Sequence, residues 1–138
     1  VWALPALRSD AMAGGTGSST AAADEAWQPW SAERVAQAQA EGRTVFVDYT
    51  AAWCVTCQFN KRTTLATADV KGAFEAKKVL LLRADWTRRD PAITAQLTQY
   101  GRSGEPLYAV YTPGAAGPRL LSEILSVDEV LGAIGAAR

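Results

Sequence analysis

Two cysteines three residues apart, Cys54 and Cys57, constrain this chain more than any other feature of its sequence. They are the only cysteines in the 138 residues, and they follow a segment rich in β-branched and aromatic residues, 44–50 (TVFVDYT), that is typical of a strand. We predict that a helix begins at or just before Cys54 and runs past Leu65. The first cysteine then lies at a helix N-terminus, where unpaired N–H groups favour a thiolate, and the second lies one turn further on.

This placement favours thiol–disulfide exchange, in which one thiolate attacks and the other thiol resolves. Other interpretations stay open. Zinc would need more ligands, and the chain has neither a histidine nor a second C-x-x-C motif. Two thiolates suit Cu(I), so a copper-binding or copper-tolerance module is the alternative from a different class. A purely structural disulfide gains little entropy by closing so short a loop, and a redox-inert interaction domain is the last alternative.

The rest of the pattern predicts an α/β domain. Strand-like segments alternate with segments of helical periodicity, which indicates a parallel or mixed sheet covered on both faces. The predicted strands are 44–50, 79–82, 107–112 and a short one at 119–121; the predicted helices follow Ser31, Cys54, Asp90 and Ser126, with a further helical piece around Val70 and Phe74. Basic and acidic residues number 14 each, so the charge balance gives no support for nucleic-acid binding.

The first part of the chain differs in composition. Small residues dominate 11–26, which indicates a linker. We therefore assign 1–24 to a linker or tail and 25–138 to the domain. The apolar run 1–7 is too short for a membrane helix, and it is either the end of an upstream membrane helix or a boundary without meaning.

Three segments together resemble a known family. They are VFVDYTAAWCVTC (45–57), RADWTRRDP (83–91) and YGRSGEPLYAVY (100–111). They are similar to the C-terminal periplasmic domain of the DsbD and ScsB membrane proteins, which carry reducing equivalents across the bacterial inner membrane. The resemblance covers roughly residues 27–138. It implies a thioredoxin fold, with a central mixed β-sheet flanked by helices on both faces, and a periplasmic domain of an inner-membrane protein.

The resemblance also implies a function. The expected activity is that of a protein-disulfide reductase that relays reducing equivalents through Cys54 and Cys57. The expected electron donor is a membrane domain of the same polypeptide, which the linker at 1–24 would follow, and the expected acceptor is a periplasmic thioredoxin-like or DsbD N-terminal-like domain. No cofactor is expected, because the disulfide itself carries the electrons. A periplasmic disulfide oxidase or isomerase on the same fold is the alternative enzyme.

Matching to the family assigns roles to four residues. Cys54 is the nucleophile and Cys57 the resolving thiol. Asp48, six residues before Cys54, matches a buried carboxylate beneath the cysteines that tunes their pKa and transfers protons; the alternative is a solvated aspartate at a strand end. Pro106 matches the cis-proline that faces the cysteines, with a trans turn proline as the alternative.

Three further residues are expected to modulate the site. Trp53 matches the aromatic residue before the first cysteine, although it would serve equally well in the core. Lys61 stands where DsbD-type domains often carry a glutamate, and Glu105 stands where Val, Leu or Thr often precedes the cis-proline. If both lie near Cys54, the Glu105 carboxylate disfavours the Cys54 thiolate and the Lys61 ammonium favours it.

Overall fold

Five strands form one mixed sheet at the centre of the molecule. The computed structural model describes residues 26–102 and 104–136. In chain order the elements are β1 (Trp27–Pro29), α1 (Ala32–Ala40), β2 (Val45–Thr50), α2 (Val55–Arg62), α3 (Ala68–Ala76), β3 (Leu80–Asp85), α4 (Pro91–Gln99), β4 (Leu107–Tyr111), β5 (Arg119–Leu120) and α5 (Val127–Ala133). The strand order is β1-β3-β2-β4-β5. This arrangement confirms the predicted α/β class and mixed sheet.

The central strand β2 is buried along its whole length because helices cover both faces of the sheet. Val47 and Tyr49 pack in a cluster with residues of α1 and α4. Phe46 packs on the opposite face with residues of α3 and α5. Side chains alternate between the two faces of a strand, so Asp48 shares the face of Phe46.

Helix starts follow the predicted capping residues. Ser31, Asp90 and Ser126 each accept a backbone N–H of the first turn through their side-chain oxygen, as helix N-caps do. At the last helix the side chain of Glu129 does not return to the N–H of Ser126, as it would in a capping box. The carboxylate of Glu129 accepts the backbone N–H of Ser122, at 2.9 Å, and thereby holds the segment before the helix.

Two predictions of local structure are wrong. The strand β1 was not foreseen; it has only three residues and pairs in parallel with the edge of β3. The helix that follows Cys54 ends at Arg62 and does not run past Leu65. The N–H of Leu65 bonds to the carbonyl of Asn60, five residues back, and Thr67 caps a separate helix.

The strand directions bring distant loops together. β2 and β3 are parallel, so their carboxyl ends lie on the same side of the domain, which we call the carboxyl pole. β4 is antiparallel to β2, with Tyr49 opposite Leu107, so the loop before β4 also lies at this pole. The predicted tail at 1–24 falls outside the described residues, and the domain boundary stays a prediction. No helix within 26–102 and 104–136 combines the length and apolar character needed to cross a bilayer.

Candidate functional site

The two cysteines form a disulfide at the carboxyl pole, with their Cα atoms 5.3 Å apart. Cys54 is the N-cap of α2, where its sulfur accepts the backbone N–H of Cys57 at 3.2 Å. A turn closed by the N–H of Cys54 and the carbonyl of Ala51, at 3.1 Å, connects the cap to β2. Cys57 is fully buried, whereas Cys54 keeps 8% of its surface exposed. Solvent therefore reaches the pair from the side of Cys54.

The position of Cys54 suits a nucleophile. After reduction, the same N–H of Cys57 and the positive end of the α2 dipole stabilise negative charge on the Cys54 sulfur. The first turn of α2 contains no acidic residue that would oppose this effect. Cys57 lacks both solvent and the cap position, so it needs a neighbouring base to lose its proton.

Asp48 lies beneath α2. It is fully buried on β2, directly across from Tyr108 of β4. The Tyr108 hydroxyl accepts a hydrogen bond from the side chain of Asn60 in α2, at 2.8 Å. Asn60 and Cys57 are three residues apart and both buried, so they share the face of α2 that packs onto the sheet. The carboxyl group of Asp48 and the resolving cysteine thus occupy the same interface between helix and sheet.

Burial dominates the electrostatics of Asp48. Desolvation raises the pKa of its carboxyl group, although the positive charges of Arg83 and Lys61 act in the opposite direction. Arg83 Nε lies 3.4 Å from Asp48 Oδ2. The other oxygen, Oδ1, has no hydrogen-bond partner among the described residues. A buried acid that holds its proton to a higher pH than usual, with one oxygen uncommitted, is suited to proton transfer.

Sequence reasoning missed Arg83. It lies 35 residues from Asp48 and becomes its neighbour only because β2 and β3 pair in the register Asp48 opposite Arg83. Its guanidinium carbon is also 4.3 Å from the centre of the Trp27 ring on β1. The signal available in the sequence was a lone arginine within the apolar run of β3.

Lys61 faces carboxylates. Its charge lowers the pKa of Asp48 and of Asp85. Burial raises the pKa of Asp85, but hydrogen bonds from Thr87 and the charges of Lys61 and Arg83 outweigh it, and the pKa of Asp85 is lowered. The structure therefore places Lys61 beside two acids, and its predicted effect on Cys54 stays a prediction.

Pro106 lies at the carboxyl pole. The Glu105–Pro106 peptide bond is cis, and Leu107 pairs with Tyr49 near the end of the strand that leads to Cys54. Arg102 supports this loop by donating to the carbonyl of Pro106 at 3.3 Å. Oε2 of Glu105 is buried and has no hydrogen-bond partner within the described part of the chain.

The loop after β3 supports Trp53. Thr87 Oγ1 accepts the N–H of Ala52 at 2.8 Å, and the rings of Trp53 and Trp86 lie 6.0 Å apart. The guanidinium carbon of Arg89 is 5.2 Å from the Trp53 ring and 4.8 Å from the Trp86 ring. Trp53 thus packs against the loop after β3 while half of its surface stays exposed. The segment 83–91 carried the family resemblance, but the sequence assigned no role to Trp86, Thr87 or Arg89.

A separate groove in the described part of the chain does not contain the cysteines. This groove, of about 1780 Å³, runs along α2, α3, β1 and β3, and the described residues that line it include Lys61, Arg83 and Asp85 but neither cysteine. Within residues 26–102 and 104–136, no three Cys, Asp or Glu side chains are grouped so as to hold a metal ion. The disulfide reaches solvent only through Cys54, which is 8% exposed, beside the half-exposed Trp53.

Fold and site together define a thiol–disulfide oxidoreductase domain of the thioredoxin type. Residues 26–113 match the family model described as Thioredoxin-like, and the chain belongs to this family. Within it, the sequence fits a DsbD-like domain. It is 39% identical over 92 residues to thiol:disulfide interchange protein DsbD 2 of Pseudomonas aeruginosa, and 32% identical over 80 residues to DsbD 1 of the same organism.

The solved structures agree on the fold. The C-terminal domain of Neisseria meningitidis DsbD in the oxidised form superposes with a TM-score of 0.61 at 22% identity, covering 80% of this chain and 97% of that one. The reduced form gives a TM-score of 0.59 at 22% identity, covering 86% and 96%. The matches to the Pseudomonas proteins cover 63% and 58% of this chain but only 15% and 13% of those longer proteins. The matched segments thus span only a small part of the length of those relatives.

Proposed function

We propose that this domain relays reducing equivalents to disulfides of partner proteins. The observation that carries the proposal is the asymmetry of the pair: Cys54 caps α2 at the surface, and Cys57 is buried in the interface that also holds Asp48. In the first step, the Cys54 thiolate attacks a partner disulfide. A Cys54–partner disulfide forms, and the partner's other sulfur leaves as a thiolate.

In the second step, Cys57 loses its proton and attacks the Cys54 sulfur. The mixed disulfide breaks, the Cys54–Cys57 disulfide forms, and the partner leaves with two thiols. Two electrons pass to the partner, and the two protons come from Cys57 and solvent. Asp48 is the group we assign to accept the Cys57 proton, because it is the buried carboxyl beneath α2. No cofactor takes part.

Support for the donor and acceptor comes from the DsbD-like sequence. We propose that a membrane domain of the same polypeptide reduces the Cys54–Cys57 disulfide, that a periplasmic thioredoxin-like or DsbD N-terminal-like domain accepts the electrons, and that the domain lies in the periplasm. Alkylation trapping in cells tests the donor: the cysteines should be reduced when the natural upstream sequence is present and oxidised when the domain is secreted alone.

A trapping experiment tests the chemistry. Reduced Cys57→Ser protein should accumulate a mixed disulfide with insulin, because the resolving thiol is missing, and reduced Cys54→Ser protein should not. Equal trapping by both variants would overturn the assigned roles. The matched control is the double serine variant, which should trap nothing.

The reduction potential separates the proposed reductase from an oxidase or isomerase. Equilibration with dithiothreitol mixtures should give a value near that of thioredoxin, about −270 mV, because a domain that passes electrons to partner disulfides must itself be strongly reducing. A value near −120 mV, typical of a disulfide oxidant, would contradict the reductase assignment. Titration with Cu(I) beside the insulin assay tests the copper-binding alternative.

A further inference from the structure

Three exposed large apolar side chains lie within five residues of Cys54 in the chain. Trp53 is 50% exposed, Val55 80% and Phe59 45%. Trp53 directly precedes Cys54, and Val55 and Phe59 are four residues apart on α2, so they share its outward face. We call these three residues the apolar patch. Apolar side chains clustered on a surface, as opposed to scattered singly, mark a contact region.

Arginines border the apolar patch at both ends. Arg62 lies three residues after Phe59 and seven after Val55, so it continues the same face of α2 at its C-terminal end. At the other end, the guanidinium carbon of Arg89 lies 5.2 Å from the Trp53 ring, and Arg88 beside it is exposed. The segment from Ala52 to Arg62 contains no acidic residue.

The acidic groups of the neighbouring loops, Asp85, Asp90 and Glu105, are exposed or partly exposed, and two of them bond to backbone N–H groups of their own segments. Asp85 accepts the N–H of Thr87 at 2.9 Å. Asp90 caps α4, where it accepts the N–H of Ala92 at 2.8 Å. Glu105 buries one carboxylate oxygen. The exposed arginines at its ends therefore give the apolar patch a basic rim, although the chain as a whole has a formal net charge of zero.

We infer that the apolar patch and its three bordering arginines fit a partner that carries aspartate or glutamate side chains beside its reactive disulfide. The inference rests on the proposed function, because it names the chemistry of the partner that Cys54 attacks. Apolar contact supplies area at the centre, while charges at the rim guide the encounter and select the partner. Opposite charge at this rim speeds association, and like charge slows it.

A pair of synthetic peptides tests the inference. Both contain the same disulfide loop, and they differ only at four flanking positions, which are glutamate in one peptide and lysine in the other. The domain, recycled by dithiothreitol, should reduce the acidic peptide with a kcat/KM about tenfold higher at low ionic strength. This preference should shrink to about twofold at 0.5 M salt, because exposed charges are screened.

Two double variants locate the effect. Arg62→Gln with Arg88→Gln should reduce the preference for the acidic peptide at least about threefold, since rim charges act on association. Lys77→Gln with Lys78→Gln removes the same amount of charge just before β3, on the side of the domain opposite the carboxyl pole. This double variant should leave the preference unchanged.

The outcomes are distinguishable. Equal reduction of the two peptides, or an equal effect of the two double variants, would overturn the inference and leave the proposed function standing. Failure to reduce either peptide would refute the proposed function itself.

Discussion

Replacing the buried acid, Asp48→Asn, should stabilise the protein at neutral pH. Arg83 Nε lies 3.4 Å from Asp48 Oδ2, and two full charges at that separation attract by about 5 kcal/mol at an effective dielectric constant of about 20. Burial nevertheless leaves the pKa of Asp48 raised. Desolvation of the carboxylate therefore outweighs the lowering effect of Arg83 and Lys61 on this pKa, in the direction that buried ion pairs often show. Asparagine has nearly the shape of the protonated acid and never ionises, so the variant avoids the net cost of burying the charged carboxylate.

The sign follows from proton linkage. The folded pKa of Asp48 lies above its unfolded value, so the native state binds the proton more tightly. The contribution of Asp48 to wild-type stability therefore falls as pH rises from about 4 through the folded pKa, with a slope of at most about 1.4 kcal/mol per pH unit, and it levels off beyond. The Asp48→Asn variant lacks this fall. The free energy of unfolding of the variant minus that of the wild type should thus grow with pH and then reach a plateau.

Urea unfolding of the oxidised proteins, followed by tryptophan fluorescence between pH 4 and 9, measures this difference. Asp85→Asn is the matched control, because the pKa of Asp85 is lowered in the folded protein. Its difference from the wild type should have the opposite sign and be small, since Asp85 is mostly exposed. A difference for Asp48→Asn that stays constant or shrinks as pH rises would refute the assignment of Asp48 as an acid destabilised by burial.

Brief iodoacetamide treatment of the reduced protein should modify Cys54 far faster than Cys57, because Cys57 is fully buried. Mass spectrometry measures the ratio of label on the two cysteines. Preferential labelling of Cys57 would contradict the assignment of Cys54 as the nucleophile. Asp48→Asn should also lower the pKa of Cys54, because it removes a nearby negative charge. It should nevertheless slow insulin reduction, because it removes the base for Cys57. An unchanged or higher pKa of Cys54, measured from the pH dependence of its alkylation rate, would show that Asp48 does not act on the cysteines. Asn60→Ala should lower the free energy of unfolding by about 3 kcal/mol, because it leaves the hydroxyl of Tyr108 and the N–H of Leu125 without their hydrogen bonds. Gln99→Ala, at an exposed position of α4, should cost less than about 0.5 kcal/mol. Equal losses in chemical denaturation would show that these buried hydrogen bonds contribute little.

Local chemistry made most of the fold predictable from the sequence. Helix starts at Ser31, Asp90 and Ser126 were recognisable because a capping side chain acts on N–H groups two or three residues away. The strands β2 and β4 were recognisable because runs of β-branched and aromatic residues suit a buried sheet. The placement of Cys54 as a helix cap followed from the same local reasoning.

What the sequence did not reveal depends on distant pairing. The strand β1 is too short to show alternation, and it is extended because it pairs with β3 and Trp27 packs on Phe46 and Phe74. Arg83 meets Asp48 only through strand register. The contact of Arg89 with Trp53 requires the loop after β3 to fold back against the loop before Cys54. These contacts join segments that lie far apart in the chain; Asp48 and Arg83, for example, are 35 residues apart.

The antiparallel direction of β4 has a practical consequence for engineering. Because β4 starts at the carboxyl pole, it ends on the opposite side of the domain, with Tyr111 beside Val45 at the start of β2. The turn that follows, from Pro113 to Gly117, is exposed and remote from the disulfide. Exposed turns of this kind tolerate insertion well. A fluorescent reporter domain inserted in this turn would leave Cys54 open to its partners, and the fusion would serve as a probe of thiol redox state.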